Sequence, residues 1–147
     1  MKITAYQLAS RYIGVKEVKG QIDNPIIIAM LRLDQKWPEH DEVPWCSAFV
    51  NWIAWQLRLP RSKSLMARSW LEIGEVIEHY SDAKVGWDVV ILSRGKNPEL
   101  GHVGFFAGYD GSDVYVLGGN QNNEVSQELY KQNRIIGIRR LYNEDMC

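Results

Sequence analysis

The apolar period of the sequence changes near Gly86, and this change restricts the possible folds more than any other feature. Upstream, apolar residues recur at the three- and four-residue spacing of helices. Downstream they run together or alternate, and β-branched and aromatic residues become frequent. Helices that precede an antiparallel sheet are typical of an α+β domain. We therefore expect an α+β fold, in one domain across residues 1–147, because no stretch rich in Pro, Gly or Ser divides the chain.

Local start and stop signals predict four helices and four strands. The helices are expected to begin at Thr4, at Asp23 or Asn24 before Pro25, just after Pro44, and at Ala67, and to end near residues 14, 34, 60 and 79. The strands are expected at residues 87–92, 102–109, 114–117 and 135–140, with a tight turn at Asp110-Gly111.

Pro44 marks the start of the helix that carries Cys46. Proline has no N–H to donate and disfavours helical backbone at the residue before it, so the new helix should begin just after it, with Cys46 in the first turn. The unpaired N–H groups and the positive end of the helix dipole favour a thiolate there and lower the pKa of a thiol. Cys46 also opens an apolar stripe, however, and free cysteine is often a buried core residue. This stretch alone leaves both interpretations open.

A cysteine nucleophile needs a base, and the chain has three histidines. His40 lies in a polar stretch, where we expect it to be solvated, and His79 lies near a predicted helix end, where the dipole favours it. His102 opens a predicted strand between small residues that leave room beside its ring. A histidine in an apolar strand is often a core residue, but His102 is the best-placed partner for Cys46.

The base in turn needs a group that orients its ring. The turn at Asp110-Gly111 returns the next strand beside His102, so Asn120 can reach the imidazole. Asn120 can accept a hydrogen bond from one ring nitrogen and leave the other for Cys46. An asparagine after two glycines is also common in turns, so the signal comes from the three residues together.

Composition and missing motifs exclude several other functions. The net charge is −1 with no basic cluster, which argues against a nucleic-acid partner, and no apolar stretch is long enough for membrane insertion or a signal peptide. We therefore expect a chain made in the cytoplasm without a signal peptide. Cys46 and Cys147 do not form a disulfide framework of the secreted type. Zinc-binding, serine-hydrolase and phosphate-loop motifs are missing from the sequence.

Three motifs resemble those of the CHAP and NlpC/P60 papain-like cysteine peptidases. They are Trp45-Cys46-Ser47-Ala48-Phe49-Val50, Gly101-His102-Val103-Gly104 and Leu117-Gly118-Gly119-Asn120-Gln121. The likeness extends over residues 42–140 and is greatest to short single-domain versions from phage and prophage genomes. It implies a papain-like fold, with Cys46 as nucleophile, His102 as base and Asn120 as the orienting residue. The implied substrate is peptidoglycan, cut at a peptide bond or at the amide between muramic acid and L-alanine.

Two departures from the family pattern bear on the site. Many CHAP domains have a glutamate where this chain has Gly118, so the orienting role rests on Asn120. The acidic residues 34–41 lack the alternating spacing of a calcium loop, so we expect no required metal and no cofactor. Trp45, Ser69 and Trp70 are candidate walls of the substrate cleft, and Trp70 is equally well explained as a core residue.

The expected function is amide hydrolysis in the bacterial cell wall by a monomer, most simply as a phage or prophage endolysin. Such a lysin would reach the wall through a pore. The alternatives are a toxin-like peptidoglycan amidase that acts on competitors, and a catalytically silent module that binds the cell wall. The backbone N–H of Cys46 is the expected oxyanion donor, and the sequence does not identify a second one.

Overall fold

The computed structural model describes residues 3–18, 24–34 and 44–142. Its helices are α1 (Ala5–Ser10), α2 (Pro25–Arg32) and α3 (Cys46–Gln56). Its strands are β1 (Glu75–Val76), β2 (Asp88–Ser93), β3 (Gly101–Asp110), β4 (Asp113–Gln121), β5 (Glu124–Lys131) and β6 (Ile135–Arg140). Short 3₁₀ helices cover Ala67–Glu72, Tyr80–Asp82 and Gln132–Arg134. The α-helices precede the sheet, so the predicted α+β class is confirmed.

The strands form one antiparallel sheet in the order β1-β6-β2-β3-β4-β5. Strands β2 to β5 are neighbours in chain order, and β6 returns to the far side of β2. This order leaves the beginning of β3 and the end of β4 close together, next to β5. The predicted site residues His102 and Asn120 lie on these two strand ends.

Helix α3 packs on the sheet face presented by β3 and β4. Val103, Phe105 and Leu117 face the helices, whereas Phe106 and Val116 belong to a second core cluster. Gly119 lets the helix approach closely, because a Cβ there would lie 2.7 Å from Cζ3 of Trp45. The start of α3 is therefore held against the end of β4.

Local signals correctly predicted where the helices begin. Thr4 caps α1 in a reciprocal capping box with Gln7, and the Asn24 side chain accepts a hydrogen bond from the N–H of Ile26 at the start of α2. Asn24 is thus the cap of the second helix, and Asp23 lies outside the described residues. Helix α3 begins at Cys46, as predicted from Pro44.

The predicted helix over residues 67–79 is wrong. Only Ala67–Glu72 is helical, as a 3₁₀ helix, and the chain then enters β1, which pairs with β6. Gly74 separates the two with a φ of 84°, and a Cβ there would lie 2.6 Å from the carbonyl oxygen of Arg140. The close approach of β6 requires a left-handed glycine at this point, and that ends the helix.

Strand β5 was not predicted. It is an edge strand in which Val125 is the one buried residue, and its other side chains are partly or fully exposed. An edge strand of this kind carries little apolar alternation, so its sequence does not stand out from a polar loop. Strand β6, which was predicted over residues 135–140, is confirmed.

Some predictions fall on residues that the structure does not describe. His40, Cys147 and the acidic residues 35–41 lie there. Within the described ranges, no helix combines the length and apolar character needed to span a membrane.

Candidate active site

Cys46 begins α3, and its side chain is 3% exposed. The backbone N–H groups of Val103, Ser47 and Cys46 itself lie near the sulfur and favour its thiolate. Val103 follows His102 at the beginning of β3 and shares a core cluster with Cys46, so the thiol lies against the strand that carries the histidine.

Burial raises the pKa of the Cys46 thiol, and it outweighs the groups that lower this pKa. The lowering groups are the three backbone N–H donors and the positive charge of Arg94. The helix start therefore supplies N–H groups as expected, but the expected lowering of the cysteine pKa is wrong. Removal of the sulfur from water destabilises the thiolate by more than the helix N-terminus stabilises it.

His102 lies beside Gln121 and Tyr130. Its Nε2 is 2.8 Å from Oε1 of Gln121, and its ring centroid is 5.6 Å from that of Tyr130. Burial lowers the pKa of His102 to about 4, against the raising effect of the Gln121 hydrogen bond. The positive charges of Arg134 and Arg94 lower it further. His102 is therefore neutral near pH 7.

Cys46 and His102 are thus a neutral thiol and a neutral imidazole near pH 7. Such a pair can act by general-base catalysis, in which the histidine takes the thiol proton as the sulfur attacks. His102 offers Nδ1 for this step, because Gln121 engages Nε2. This differs from the thiolate that the helix N-terminus by itself would favour.

The hydrogen bond expected from Asn120 is made by its neighbour, Gln121. Continuation of the register Phe105↔Leu117 would place Asn120 opposite His102. A β-bulge intervenes, because Gly118 pairs with Ser126 whereas Gln121 pairs with Glu124. The extra residue shifts the alternation of side chains by one, and Asn120 takes a φ of 58°. The glycine pair before Asn120 was the signal in the sequence that could have predicted the bulge.

Comparison with known families adds to this geometry. A family model described as the CHAP domain matches residues 38–120, which is more than half of the 147 residues. The chain belongs to the CHAP domain family. The match includes the three residues proposed from the sequence, Cys46, His102 and Asn120. A search of curated proteins found no match to this CHAP domain.

Solved structures of similar fold are NlpC/P60 proteins. NlpC1 from Trichomonas vaginalis has a TM-score of 0.60 at 18% identity, with 95% of this chain and 44% of that chain covered. NlpC2 from the same organism has a TM-score of 0.59 at 17% identity, with 95% and 46% covered. A lipoprotein-like NLP/P60 family protein from Staphylococcus aureus has a TM-score of 0.55 at 18% identity, with 96% and 41% covered. This chain therefore covers less than half the length of each of these proteins.

These similarities confirm the predicted papain-like α+β fold. Membership of the CHAP domain family places the chain in a superfamily of cell-wall peptidases and amidases. At the identities found, the solved structures bear on the fold alone.

The indole rings of Trp45 and Trp70 do not line a cleft in this CHAP domain, because both side chains are 0% exposed. Trp45 donates a hydrogen bond to Glu17 at 2.7 Å, and Trp70 donates one to Ser47 at 2.9 Å. Buried indole N–H groups need such partners, and these bonds fix both rings in the core. Ser69 is partly exposed and donates to the carbonyl oxygen of Met66 at 2.6 Å, so its predicted role in substrate binding stays a prediction.

Sequence reasoning missed Tyr130, whose ring lies against His102, and Arg134, which lies over the Tyr130 ring. The Arg134 guanidinium lies 5.1 Å from the centre of the Tyr130 ring and donates two hydrogen bonds to the carbonyl oxygen of Ser93. Burial raises the pKa of Tyr130 to about 12, so the phenol keeps its proton. No motif marks these residues, because they lie on the unpredicted β5 and in the short 3₁₀ helix after it.

The lowered pKa of His102 predicts a loss of stability in acid. The unfolded chain binds a proton near pH 6.5 and the folded protein only near pH 4, so this group's contribution to stability falls as the pH drops between these values. The full loss from this group is about 3 kcal/mol, at about 1.4 kcal/mol per pKa unit. Denaturant unfolding at pH 7 and pH 4 measures it.

The control for this prediction is His102→Gln, which cannot titrate at this position. The other acidic groups titrate alike in both proteins, so the difference between their pH dependences isolates His102. An equal loss of stability in both proteins would show that His102 has the same pKa folded and unfolded.

Proposed function

We propose that this protein is a peptidoglycan hydrolase that cleaves an amide bond, with Cys46 as nucleophile and His102 as general base. One observation carries the proposal. Cys46, the first residue of α3, packs in the same core cluster as Val103, and Val103 directly follows a histidine that is neutral near pH 7. This joins a nucleophile, a base and a helix N-terminus in one place.

The reaction proceeds by acyl transfer. Nδ1 of His102 takes the thiol proton while the Cys46 sulfur bonds to the amide carbonyl carbon, and the carbonyl oxygen becomes an oxyanion. The backbone N–H of Cys46 donates to this oxygen; loss of one such donor typically costs on the order of 10²–10³ in rate. The imidazolium then protonates the leaving amine as the C–N bond breaks. Water, deprotonated by His102, attacks the thioester, which releases the carboxylic acid and returns the proton to the sulfur.

We further propose that the protein is a phage or prophage endolysin that acts as an endopeptidase or as an N-acetylmuramoyl-L-alanine amidase. Support comes from the likeness of its three motifs to short single-domain phage proteins of this family. A toxin-like amidase would use the same residues and differ in its delivery. A holin gene beside the coding sequence would support the endolysin, and an immunity gene would support the toxin.

The test is mass spectrometry of fragments released from purified Gram-negative peptidoglycan by the wild-type protein and by Cys46→Ala. We expect fragments from the wild type alone. A free L-alanine amino group would identify an amidase, and a new terminus within the stem peptide or crosslink would identify an endopeptidase. If neither protein released fragments and both sedimented with the wall, the binding module would replace the hydrolase.

A further inference from the structure

The Gln121 side chain is held at both ends of its amide. Its nitrogen donates to the backbone carbonyl of Ser126 at 2.7 Å and to that of Val116 at 3.3 Å, and its oxygen faces Nε2 of His102 at 2.8 Å. The side chain is 4% exposed. Carbonyl oxygens only accept hydrogen bonds, so the amide nitrogen must be the atom that faces them. The oxygen is therefore fixed toward the histidine.

This orientation decides the tautomer of His102. The amide oxygen of Gln121 only accepts, so Nε2 of His102 must carry the hydrogen that joins them. A neutral imidazole has one N–H, which leaves the lone pair on Nδ1. The nitrogen that serves as base in the proposed reaction is thus selected by Gln121.

The missing side chain of Gly118 provides the space for this contact. A Cβ at residue 118 would lie 2.8 Å from Oε1 of Gln121 and 3.3 Å from Nε2 of His102. Both distances are shorter than ordinary contacts, so a side chain at residue 118 and the Gln121 amide exclude each other. The bulge at residues 119 and 120 turns Gln121 to the face on which Gly118 leaves this space.

We propose that Gln121, and not Asn120, is the positioning residue for His102, and that Gly118 is required because it admits the Gln121 amide beside the ring. This inference rests on the proposed function for its catalytic consequence. The tautomer it specifies exists in the free protein and can be measured without a substrate.

The first experiment is ¹⁵N NMR of the His102 side chain in the wild type and in Gln121→Leu. The wild type should show the Nε2–H tautomer, and Gln121→Leu, which has no acceptor, should show a mixture of tautomers. The matched control is Gln127→Leu, the same change at an exposed position of β5, where the tautomer should be unchanged. The proposal would be overturned if Gln121→Leu kept the Nε2–H tautomer of His102. It would also be overturned if Asn120→Gly showed a mixture of tautomers.

A second variant, Gly118→Ala, tests the same contact without altering Gln121. Its Cβ meets the end of the Gln121 side chain and not the backbone, so Gly118→Ala should fold even if Gln121→Leu does not. We expect the same mixed tautomers in Gly118→Ala. An unchanged tautomer would show that residue 118 does not control the position of the amide.

Kinetics on peptidoglycan measure the consequence. Gln121→Leu and Gly118→Ala should each lower kcat on the order of 10²-fold with little change in KM, as expected when a general base loses its orientation. The double variant should lose no more than either single one, because both changes remove one contact. If the losses of the two single variants multiplied in the double variant, the two residues would not act through one contact. If the wild type itself releases no fragments, the proposed function fails, and the tautomer measurement still judges the role of Gln121.

Discussion

Replacement of Cys46 by serine should lower kcat/KM for peptidoglycan by a factor on the order of 10⁴ to 10⁶, the range seen when a catalytic nucleophile is removed. Burial lowers the pKa of His102 to about 4, so its imidazole is a weak base. A base of this strength is better matched to a thiol than to a hydroxyl, whose proton is far harder to remove. The release of soluble fragments with time measures the loss.

The serine variant should keep the fold. The serine hydroxyl is smaller than the thiol, so nothing has to shift to admit it, and it can accept from the nearby backbone N–H groups of Val103 and Ser47. Thermal unfolding should therefore stay close to that of the wild type. Cys147→Ser is the matched control, since it removes the other cysteine of the sequence and should retain activity. Hydrolysis by Cys46→Ser at the wild-type rate would exclude Cys46 as the nucleophile.

Replacement of Asp88 by alanine should lower the free energy of unfolding by about 3–5 kcal/mol, the cost of removing one partner from a buried ion pair. Asp88 is 1% exposed, and its two carboxylate oxygens accept from Nε and Nη2 of Arg140 at 2.7 Å and 2.9 Å. It also accepts from the backbone N–H of Lys84 at 2.8 Å. Alanine would leave these donors without the carboxylate. Chemical denaturation at pH 7 measures the change.

Asp82→Ala is the matched control for this prediction. It removes the same charge from an exposed side chain near Asp88 in the sequence, so its effect should stay within about 0.5 kcal/mol, as for surface substitutions in general. Typical domains are stable by about 5–15 kcal/mol, so the loss expected for Asp88→Ala is a large share of the total. A loss below about 1 kcal/mol would show that the Asp88–Arg140 pair contributes little beyond its desolvation cost.

The Cys46 thiol and the His102 imidazole are both neutral near pH 7, and burial is the main cause for each. Burial raises the pKa of Cys46 and lowers that of His102, because it disfavours the charged form of each group. Arg94 acts on both residues in the direction of a thiolate and a neutral histidine. In the proposed reaction, the backbone N–H groups at the start of α3 would stabilise the negative charge that develops.

The features that could be predicted from the sequence depend on contacts between residues close together in the chain. Thr4 and Asn24 cap their helices with their own side chains, and Pro44 ends one segment and permits α3 to begin at Cys46. The change of period near Gly86 separates helices from strands for the same reason, since side-chain spacing along an element is local. These signals were enough for the α+β class and for the elements that carry Cys46 and His102.

Other features required the tertiary structure. Gly74 ends a helical pattern because β6 passes close to it, and Trp45 and Trp70 are core residues because α3 packs on the sheet. The choice between Asn120 and Gln121 is of the same kind. By strand alternation alone, Asn120 would face His102. The bulge in β4, at the point where Gly119 meets the helix that carries Cys46, instead turns Gln121 to that face. The sequence by itself determined the types of residue in the site, and packing of α3 against β4 decided which of two neighbouring amides contacts the histidine, because a shift of one residue in a strand reverses the direction of its side chains.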